Sequence, residues 1–151
     1  MKVVYTYVVA DLLHMGHVLY LENARTFGDK LIVGVLTDKA AMEKKPKPAL
    51  AFSERMRLVK ALKCVDCVVA QDDYSPINNI KSIKPDVLIE SSSHSEENLL
   101  KVKELANAIS CKVIVMPYYP GQSSTQIKEG IRNNIADSGN QDSLNKEPRR
   151  E

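Results

Sequence analysis

Apolar runs rich in β-branched residues alternate along the chain with longer stretches of mixed polarity. Five of these runs have the length of buried strands: Val3–Val9, Lys30–Leu36, Cys67–Ala70, Val87–Ile89 and Lys112–Met116. The stretches between them repeat apolar residues at helical spacing. Alternation of strands and helices is typical of an α/β domain, and we predict a Rossmann-like, doubly wound, parallel five-stranded sheet.

Local signals predict where the helices begin and end. The first helix is expected over Met15–Phe27, with Gly28 as its C-cap. Ser53 is the expected cap of the helix before the third strand. Ser75-Pro76 opens a brief helix, which ends before Lys84-Pro85 because a residue preceding proline disfavours helix. Two further helices are expected over Glu96–Ile109 and about Thr125–Ile135.

The domain boundary follows from composition. Residues 1–135 have the alternating pattern of one domain, whereas 136–151 contain almost no apolar residue beyond Leu144. A segment with so little apolar surface cannot offset the entropy of ordering. We therefore predict one domain and a disordered C-terminal tail.

Composition narrows the function classes. Hydrophobic residues make up 44% of the chain and charged residues 26%, as in a globular protein. A formal net charge of +2 is too small to favour a nucleic-acid partner. No apolar run reaches the roughly 18 residues of a membrane span. The strand that follows Met1-Lys2 directly, and an odd number of cysteines, lead us to expect a cytoplasmic location.

Two histidines stand where the first strand turns into the first helix, in His14-Met15-Gly16-His17. Ligands of open parallel sheets bind at such turns, and a helix start favours anions. We therefore consider phosphate binding, metal binding and a purely structural role. No cysteine or carboxylate nearby completes a zinc set. The chain also lacks a GxxxxGK[ST] phosphate loop and a GxGxxG dinucleotide motif.

Other polar residues are expected at the same edge of the sheet. The second strand delivers Thr37 and Asp38 to it, and a lysine-rich segment around Lys44 and Lys45 follows. Such a segment is either a solvated loop or a flexible cover for a polyphosphate. The start of the last helix offers a second anion site, with the hydroxyl residues Ser123, Ser124 and Thr125.

Three stretches together resemble the cytidylyltransferase-like nucleotidyltransferases. His14-Met15-Gly16-His17 resembles their HxGH signature. Glu54-Arg55, followed by Lys63-Cys64-Val65-Asp66, resembles their ER and RxVD segments, with Lys63 in place of an arginine. Gly121-Gln122-Ser123-Ser124-Thr125-Gln126-Ile127-Lys128 resembles their G-I-S-[ST]-T-x-I-K motif. The resemblance covers residues 1–135, and HxGH together with the distant serine–threonine motif is specific for the superfamily.

The resemblance implies transfer of CMP from CTP to a small anionic acceptor, with release of pyrophosphate. It implies catalytic or phosphate-binding roles for His14, His17, Arg55 and either Lys44 or Lys45. Mg²⁺ is expected to bind mainly through the triphosphate, without a dedicated protein site, and dimerisation is common in the family. The residues expected to contact the nucleotide are Val8, Val9, Ala10, Asp11, Gly16, Lys63, Ser123, Ser124 and Thr125.

Departures from the family pattern bear on the acceptor. Val8-Val9-Ala10 stands where the family has G-x-F, and Ser91-Ser92-Ser93-His94 stands where the glycerol-3-phosphate enzymes have G-D-D. Tyr118-Tyr119-Pro120 replaces an arginine of those enzymes. The combination is more similar to phosphonate-pathway cytidylyltransferase domains, and implies an acceptor such as 2-hydroxyethylphosphonate. Ser92, Ser93, His94 and Tyr118 are the residues expected to line the acceptor pocket.

Three alternatives remain. The acceptor is glycerol-3-phosphate, or the reaction is adenylyl transfer to FMN, or the chain is a nucleotide-binding module without catalysis. With two Phe and no Trp, the chain offers little to stack on a flavin. The missing family glycine and arginine keep the non-catalytic alternative open.

Overall fold

The computed structural model describes residues 1–117 and 128–135, and it has the predicted five parallel strands. The strands are β1 (Val3–Val8), β2 (Lys30–Leu36), β3 (Cys67–Gln71), β4 (Val87–Ser91) and β5 (Lys112–Met116). The helices are α1 (Met15–Arg25), α2 (Asp38–Ala41), α3 (Phe52–Lys60), α4 (Ile77–Ile83) and α5 (Glu96–Ala108). Residues 128–135 are also helical. The predicted tail, 136–151, lies outside the described residues.

The strand order is β3-β2-β1-β4-β5. The chain therefore winds outward from β1 in one direction through β2 and β3, and in the other through β4 and β5. β1 and β4 pair through Val4 with Val87 and Tyr5 with Leu88. A reversal of winding direction opens a crevice at the carboxyl ends of the central strands, where ligands of such sheets bind.

Apolar side chains cover both faces of the sheet. One cluster joins Leu21 and Ala24 of α1 and Val59 of α3 to the strands. The other joins Ile80 of α4 and Val102 of α5 to the opposite face. Full burial of each large aliphatic side chain contributes about 1.5–3 kcal/mol to stability. These layers hold the strand ends, and the loops that follow them, in fixed positions.

Two predicted helix boundaries were wrong. α3 begins at Phe52 with Ala51 as its N-cap and no capping side chain, so Ser53 lies inside the first turn. α1 ends at Arg25, with a right-handed C-cap at Thr26, so Gly28 is not its cap. Gly28 is needed for close approach instead, since a Cβ there would lie 2.7 Å from the Lys2 carbonyl oxygen.

The boundaries of α4 agree better with those predicted from the sequence. The Ser75 hydroxyl accepts a hydrogen bond from the Ile77 amide, at 3.4 Å, although Pro76 is the N-cap residue. Lys84, immediately before Pro85, ends the helix in the left-handed conformation at φ 51°. The sequence pattern did not predict α2, a single turn capped by the Thr37 hydroxyl.

In the part of the chain that the structure describes, no helix is both long and apolar enough to span a membrane. Cys64, Cys67 and Cys111 are unpaired thiols; Cys111 is buried and the other two are half-buried.

Candidate functional site

A cavity of about 660 Å³ opens at the carboxyl ends of the strands. Its walls come from the end of β1, the start of α1, residues 45–49, the loop after β4 and the helical residues 128–135. This volume is in the range of small-molecule and cofactor sites. This cavity thus lies at the edge of the sheet where the sequence predicts ligand binding.

The loop between β1 and α1 has an uncommon backbone. Ala10 and Leu12 adopt left-handed conformations, at φ 58° and 52°. For non-glycine residues this costs on the order of 1–3 kcal/mol each, and such residues often mark functional sites. Val8 and Val9 line the cavity, whereas Ala10 is fully buried. The loop turns Asp11 and His14 toward the same region.

The two histidines of the HxGH stretch cap α1 with their own side chains. His14 Nδ1 accepts a hydrogen bond from the Gly16 amide at 2.9 Å. His17 Nδ1 accepts one from the His14 amide at 3.2 Å. An imidazole nitrogen that accepts carries no proton, so in both neutral rings the proton is on Nε2. Each histidine is therefore prepared to donate from Nε2.

The environment keeps these rings neutral. Burial lowers the pKa of His17 to about 4, with further lowering by His14 and Lys45. Burial also lowers the pKa of His14. The ring centroids are 4.1 Å apart. His17 and Gly16 line the cavity; His14 does not, but it lies against His17, and its buried Nε2 has no hydrogen-bond partner among the described residues.

Asp11 joins three parts of the chain. Its carboxylate accepts hydrogen bonds from the amides of Ala49 (2.9 Å) and Leu50 (3.1 Å) and pairs with Lys128. Burial alone would raise the pKa of Asp11, but the hydrogen bonds from Lys128, Ala49 and Leu50 outweigh it and lower that pKa. Asp11 is thus a connector between the β1–α1 loop, the lysine-rich segment and the helical residues 128–135.

The lysine-rich segment presents one of the two predicted lysines to the cavity. Lys45 lines it, together with Lys47, whereas Lys44 is exposed elsewhere on the segment. Lys128 and Arg132 line it from the opposite side. The sequence did not single out Lys47, Lys128 or Arg132 as site residues, although Lys128 ends the G-Q-S-S-T-Q-I-K stretch. This end of the cavity is consequently basic, with four cationic side chains against the carboxylates of Asp11 and Glu129.

Arg55 is fully buried beneath the site. Its guanidinium donates to the carbonyl oxygens of Val9 (2.7 Å), Leu36 (2.7 Å) and Leu50 (3.2 Å), and to the Asp38 carboxylate at 2.6 Å. These bonds tie the ends of β1 and β2 to the start of α3. Contact of Arg55 with a phosphate stays a prediction, and in this structure its partners are protein groups.

Two sets of predicted residues are not observed at the cavity, for different reasons. Lys63 is exposed in the turn that leads into β3, where that strand begins, so the structure does not bring it to the cavity at the carboxyl ends. Tyr118, Ser123, Ser124 and Thr125 lie outside the described residues. Their assignments stay predictions.

The predicted acceptor residues meet aromatic side chains. Ser93 and His94 line the cavity together with Ser91, whose hydroxyl is 2.9 Å from that of Ser93, but Ser92 is exposed and does not line it. Tyr7 and Tyr74 complete this wall. Sequence reasoning missed three further residues at this end: Tyr7, Tyr74 and Glu90. Alternation along β1 and β4 does not reveal Tyr7 and Glu90, because it marks neither a cavity nor a neighbour across the sheet, and Tyr74 lies in the loop after β3.

No three His, Cys, Asp or Glu side chains among residues 1–117 and 128–135 are grouped so that they would hold a metal ion. Asp11, the nearest carboxylate to the histidines in sequence, is already engaged by two amides and Lys128. A protein cage for a divalent cation is therefore not present in the described part of the chain.

Comparison with known proteins agrees with this architecture. The cytidylyltransferase-like family model matches residues 6–130. The bifunctional protein HldE of Geotalea uraniireducens is 37% identical over 133 residues, and that of Methylobacillus flagellatus is 36% identical over 128 residues. These matches cover 87% and 83% of this chain but 27% and 26% of the relatives. The chain thus spans about a quarter of the length of the curated relatives that it matches.

Solved structures show the same fold. The lipopolysaccharide core biosynthesis protein from Thermoplasma volcanium has a TM-score of 0.71 and 28% identity, over 79% of this chain and 98% of that one. Thermotoga maritima TmcAL, bound with alpha-thio ATP, has a TM-score of 0.69 over 89% of this chain and 51% of that one. At 12% identity the second likeness concerns the fold alone.

Proposed function

The chain belongs to the cytidylyltransferase-like family, and we propose that it transfers the nucleotidyl group of a nucleoside triphosphate to a small anionic acceptor. An acceptor oxygen attacks the α-phosphorus. The bond between that phosphorus and the oxygen bridging to the β-phosphate breaks, and pyrophosphate leaves with the electron pair. CTP is the donor that we propose.

The observation that carries this proposal is the paired Nε2–H tautomer of His14 and His17 at the start of α1. Two neutral donors beside a helix N-terminus suit an α-phosphate that gains negative charge in the transition state. The low pKa of His17, about 4, keeps its ring in this form at neutral pH. A phosphate or phosphonate oxygen is already ionised there, so the acceptor needs no general base.

The basic end of the cavity suits the rest of the triphosphate. We assign Lys45, on the segment after α2, to the β- and γ-phosphates, with Lys47 and Lys128 nearby. Catalysis then consists of positioning and charge neutralisation. Mg²⁺ would neutralise further charge while bound through triphosphate oxygens, since the described residues offer no cage for it.

The acceptor is proposed as a small phosphate ester or phosphonate. The resemblance to phosphonate-pathway domains favours a compound such as 2-hydroxyethylphosphonate. The relationship to the Thermoplasma protein of lipopolysaccharide core biosynthesis favours a sugar phosphate as a second candidate. Both are anionic and small enough to share the cavity with a nucleotide.

The test is pyrophosphate release with Mg²⁺, comparing CTP with ATP across 2-hydroxyethylphosphonate, 2-aminoethylphosphonate, glycerol-3-phosphate, a hexose 1-phosphate and FMN. We expect release with CTP and one small acceptor. Release with ATP and FMN alone would replace the proposal by flavin adenylylation. Binding of CTP or ATP without release under any condition would support a non-catalytic binding module.

His14→Asn removes the proposed hydrogen-bond donor to the phosphate but keeps the N-cap of α1. Asparagine caps helices well and still accepts from the Gly16 amide, but it lacks the Nε2–H group. Loss of such a donor costs about 3–4 kcal/mol of transition-state stabilisation, so kcat should fall about 10²–10³-fold, and His17→Ala should do likewise. Met15→Ala is the matched control, because Met15 is in the same motif and 59% exposed. Wild-type rates in both histidine variants would refute the mechanism.

A further inference from the structure

A buried carboxyl group with no role in the proposed reaction lies beside the cavity. Glu90, in β4, is 1% exposed. The Tyr7 hydroxyl is 3.0 and 2.8 Å from its Oε1 and Oε2, and His94 Nδ1 is 2.7 Å from Oε2. Burial of a carboxyl group is costly unless hydrogen bonds satisfy it. Tyr7 and His94 therefore supply the hydrogen bonds that the buried Glu90 carboxyl group needs.

The direction of each hydrogen bond follows from the groups involved. Burial, and next the charge of Glu90, raise the pKa of the Tyr7 phenol. Tyr7 consequently keeps its proton and donates it to Glu90. A carboxylate only accepts, so His94 Nδ1 must carry the proton that it donates to Oε2. In the neutral ring, Nε2 of His94 then carries a lone pair.

This tautomer is the opposite of that at the HxGH stretch. His14 and His17 accept at Nδ1 and donate from Nε2. His94 donates at Nδ1 and accepts at Nε2. A donor suits a phosphate oxygen, whereas a lone pair repels one and attracts a hydroxyl hydrogen. The cavity thus contains two chemically distinct kinds of histidine.

Aromatic neighbours fix the orientation of the His94 ring. It stacks on Tyr7, with centroids 5.5 Å apart and planes at 24°, and meets Tyr74 at 5.9 Å and 59°. All three side chains line the cavity. Because Glu90 holds the Nδ1 edge, the Nε2 edge is the one left for a ligand.

We propose that Glu90 is a positioning residue that fixes His94 as a hydrogen-bond acceptor, so that the site selects an acceptor substrate with a hydroxyl group near its phosphate or phosphonate. This rests on the proposed nucleotidyl transfer. In this proposal, two ends of the cavity recognise the acceptor. Hydrogen-bond donors and cations bind its anionic group, and His94 binds its hydroxyl group.

The kinetic test compares acceptors with and without hydroxyl groups, namely 2-hydroxyethylphosphonate against ethylphosphonate and glycerol-3-phosphate against propyl phosphate. We expect the wild type to favour the hydroxylated member of the accepted pair by at least about tenfold in kcat/KM, as expected for a hydrogen bond of about 1.4 kcal/mol. Equal use of both members would overturn the selection of a hydroxyl.

Glu90→Leu removes the acceptor of the His94 Nδ1 proton. The Tyr7 hydroxyl, 3.1 Å from that nitrogen, loses its carboxylate partner and donates to Nδ1 instead. A nitrogen that accepts carries no proton, so Nε2 becomes a donor. The preference for the hydroxylated acceptor should fall to within about twofold, with the KM for CTP unchanged.

Glu97→Leu, at an exposed residue of α5, is the matched control and should change neither quantity. An equal rise of the KM for CTP and the KM for the acceptor would indicate general damage and contradict the proposal.

Imidazole ¹⁵N NMR tests the same assignment without turnover. The chain has three histidines, so each ring can be assigned by single substitution. We expect His94 protonated on Nδ1, His14 and His17 on Nε2, and a switch of His94 alone in Glu90→Leu. A His94 ring protonated on Nε2, or on both nitrogens at the assay pH, would overturn the positioning role. Absence of pyrophosphate release with an Nδ1–H ring at His94 would refute the proposed function but not that role.

Discussion

At the scale of single residues, local hydrogen bonds decide what each histidine offers to a ligand. The amides of His14 and Gly16 donate to imidazole nitrogens of the same short stretch. The tautomers of His14 and His17 therefore follow from a spacing of three residues at a helix start. The tautomer of His94 depends instead on Glu90 in the adjoining strand and on its contact with Tyr7 in β1.

Protonation of His17 should destabilise the fold. Its pKa is lowered from 6.5 to about 4, first by burial. The unfolded chain therefore binds a proton near pH 6.5 that the folded chain does not bind until about pH 4. The resulting stabilisation is fully present above about pH 6.5 and is lost as the pH falls toward 4. A shift of this size corresponds to roughly 3 kcal/mol.

Urea denaturation between pH 7.5 and pH 4.5 measures this effect. We expect the free energy of unfolding to fall with pH in the wild type and to fall clearly less in His17→Gln. Glutamine does not titrate, so only the contribution of His14, whose pKa is also lowered, remains from this pair. If the free energy of unfolding fell equally with pH in the wild type and in His17→Gln, the lowered pKa of His17 would be contradicted.

At the scale of elements, one buried side chain holds two strand ends and a helix together. Arg55 of α3 donates to the carbonyl oxygens of Val9 and Leu36, which follow β1 and end β2. A buried carbonyl group without a partner costs about 1–3 kcal/mol. The sequence indicated an important Arg55 through its resemblance to a family motif, but not that its partners are backbone oxygens.

Replacement of Arg55 should therefore affect stability as well as activity. Arg55→Lys keeps the charge but loses the planar set of donors, so we expect the free energy of unfolding to fall by about 2–4 kcal/mol. Thermal or urea denaturation without nucleotide measures this. Arg57→Lys, two residues along the same helix and exposed, is the control and should be neutral. Unchanged stability of Arg55→Lys with a raised KM for CTP would favour direct phosphate contact instead.

At the scale of the whole molecule, Asp11 connects segments far apart in sequence. It receives the amides of Ala49 and Leu50 and the ammonium group of Lys128. The segment around Ala49 and the helical residues 128–135 thus share one carboxylate. Its lowered pKa reflects those partners, since burial alone acts in the opposite direction.

Asp11→Ala should loosen the segment around Ala49 and Leu50. Their amides lose their acceptor, so their hydrogen exchange should accelerate at least about tenfold, while amides of the central β1 stay protected. Amide exchange followed by NMR or mass spectrometry measures this. Asp72→Ala, at an exposed site after β3, should leave both rates unchanged. Unaltered exchange at residues 49 and 50 in Asp11→Ala would mean that the connection does not hold the segment.

The sequence by itself determined the five strands, their parallel arrangement and the position of the HxGH turn, because apolar runs and their alternation with helical stretches are visible along the chain. The place of His14 and His17 at the turn and their resemblance to a family motif indicated these histidines, and the resemblance indicated a role for the lysine-rich segment. Only the tertiary structure decided that Lys45 rather than Lys44 lines the cavity, that Lys63 lies away from it and that Arg55 meets backbone oxygens. It alone revealed the contacts of Glu90 with Tyr7 and His94. Such contacts join residues far apart in the chain, and no local pattern specifies which strand ends become neighbours.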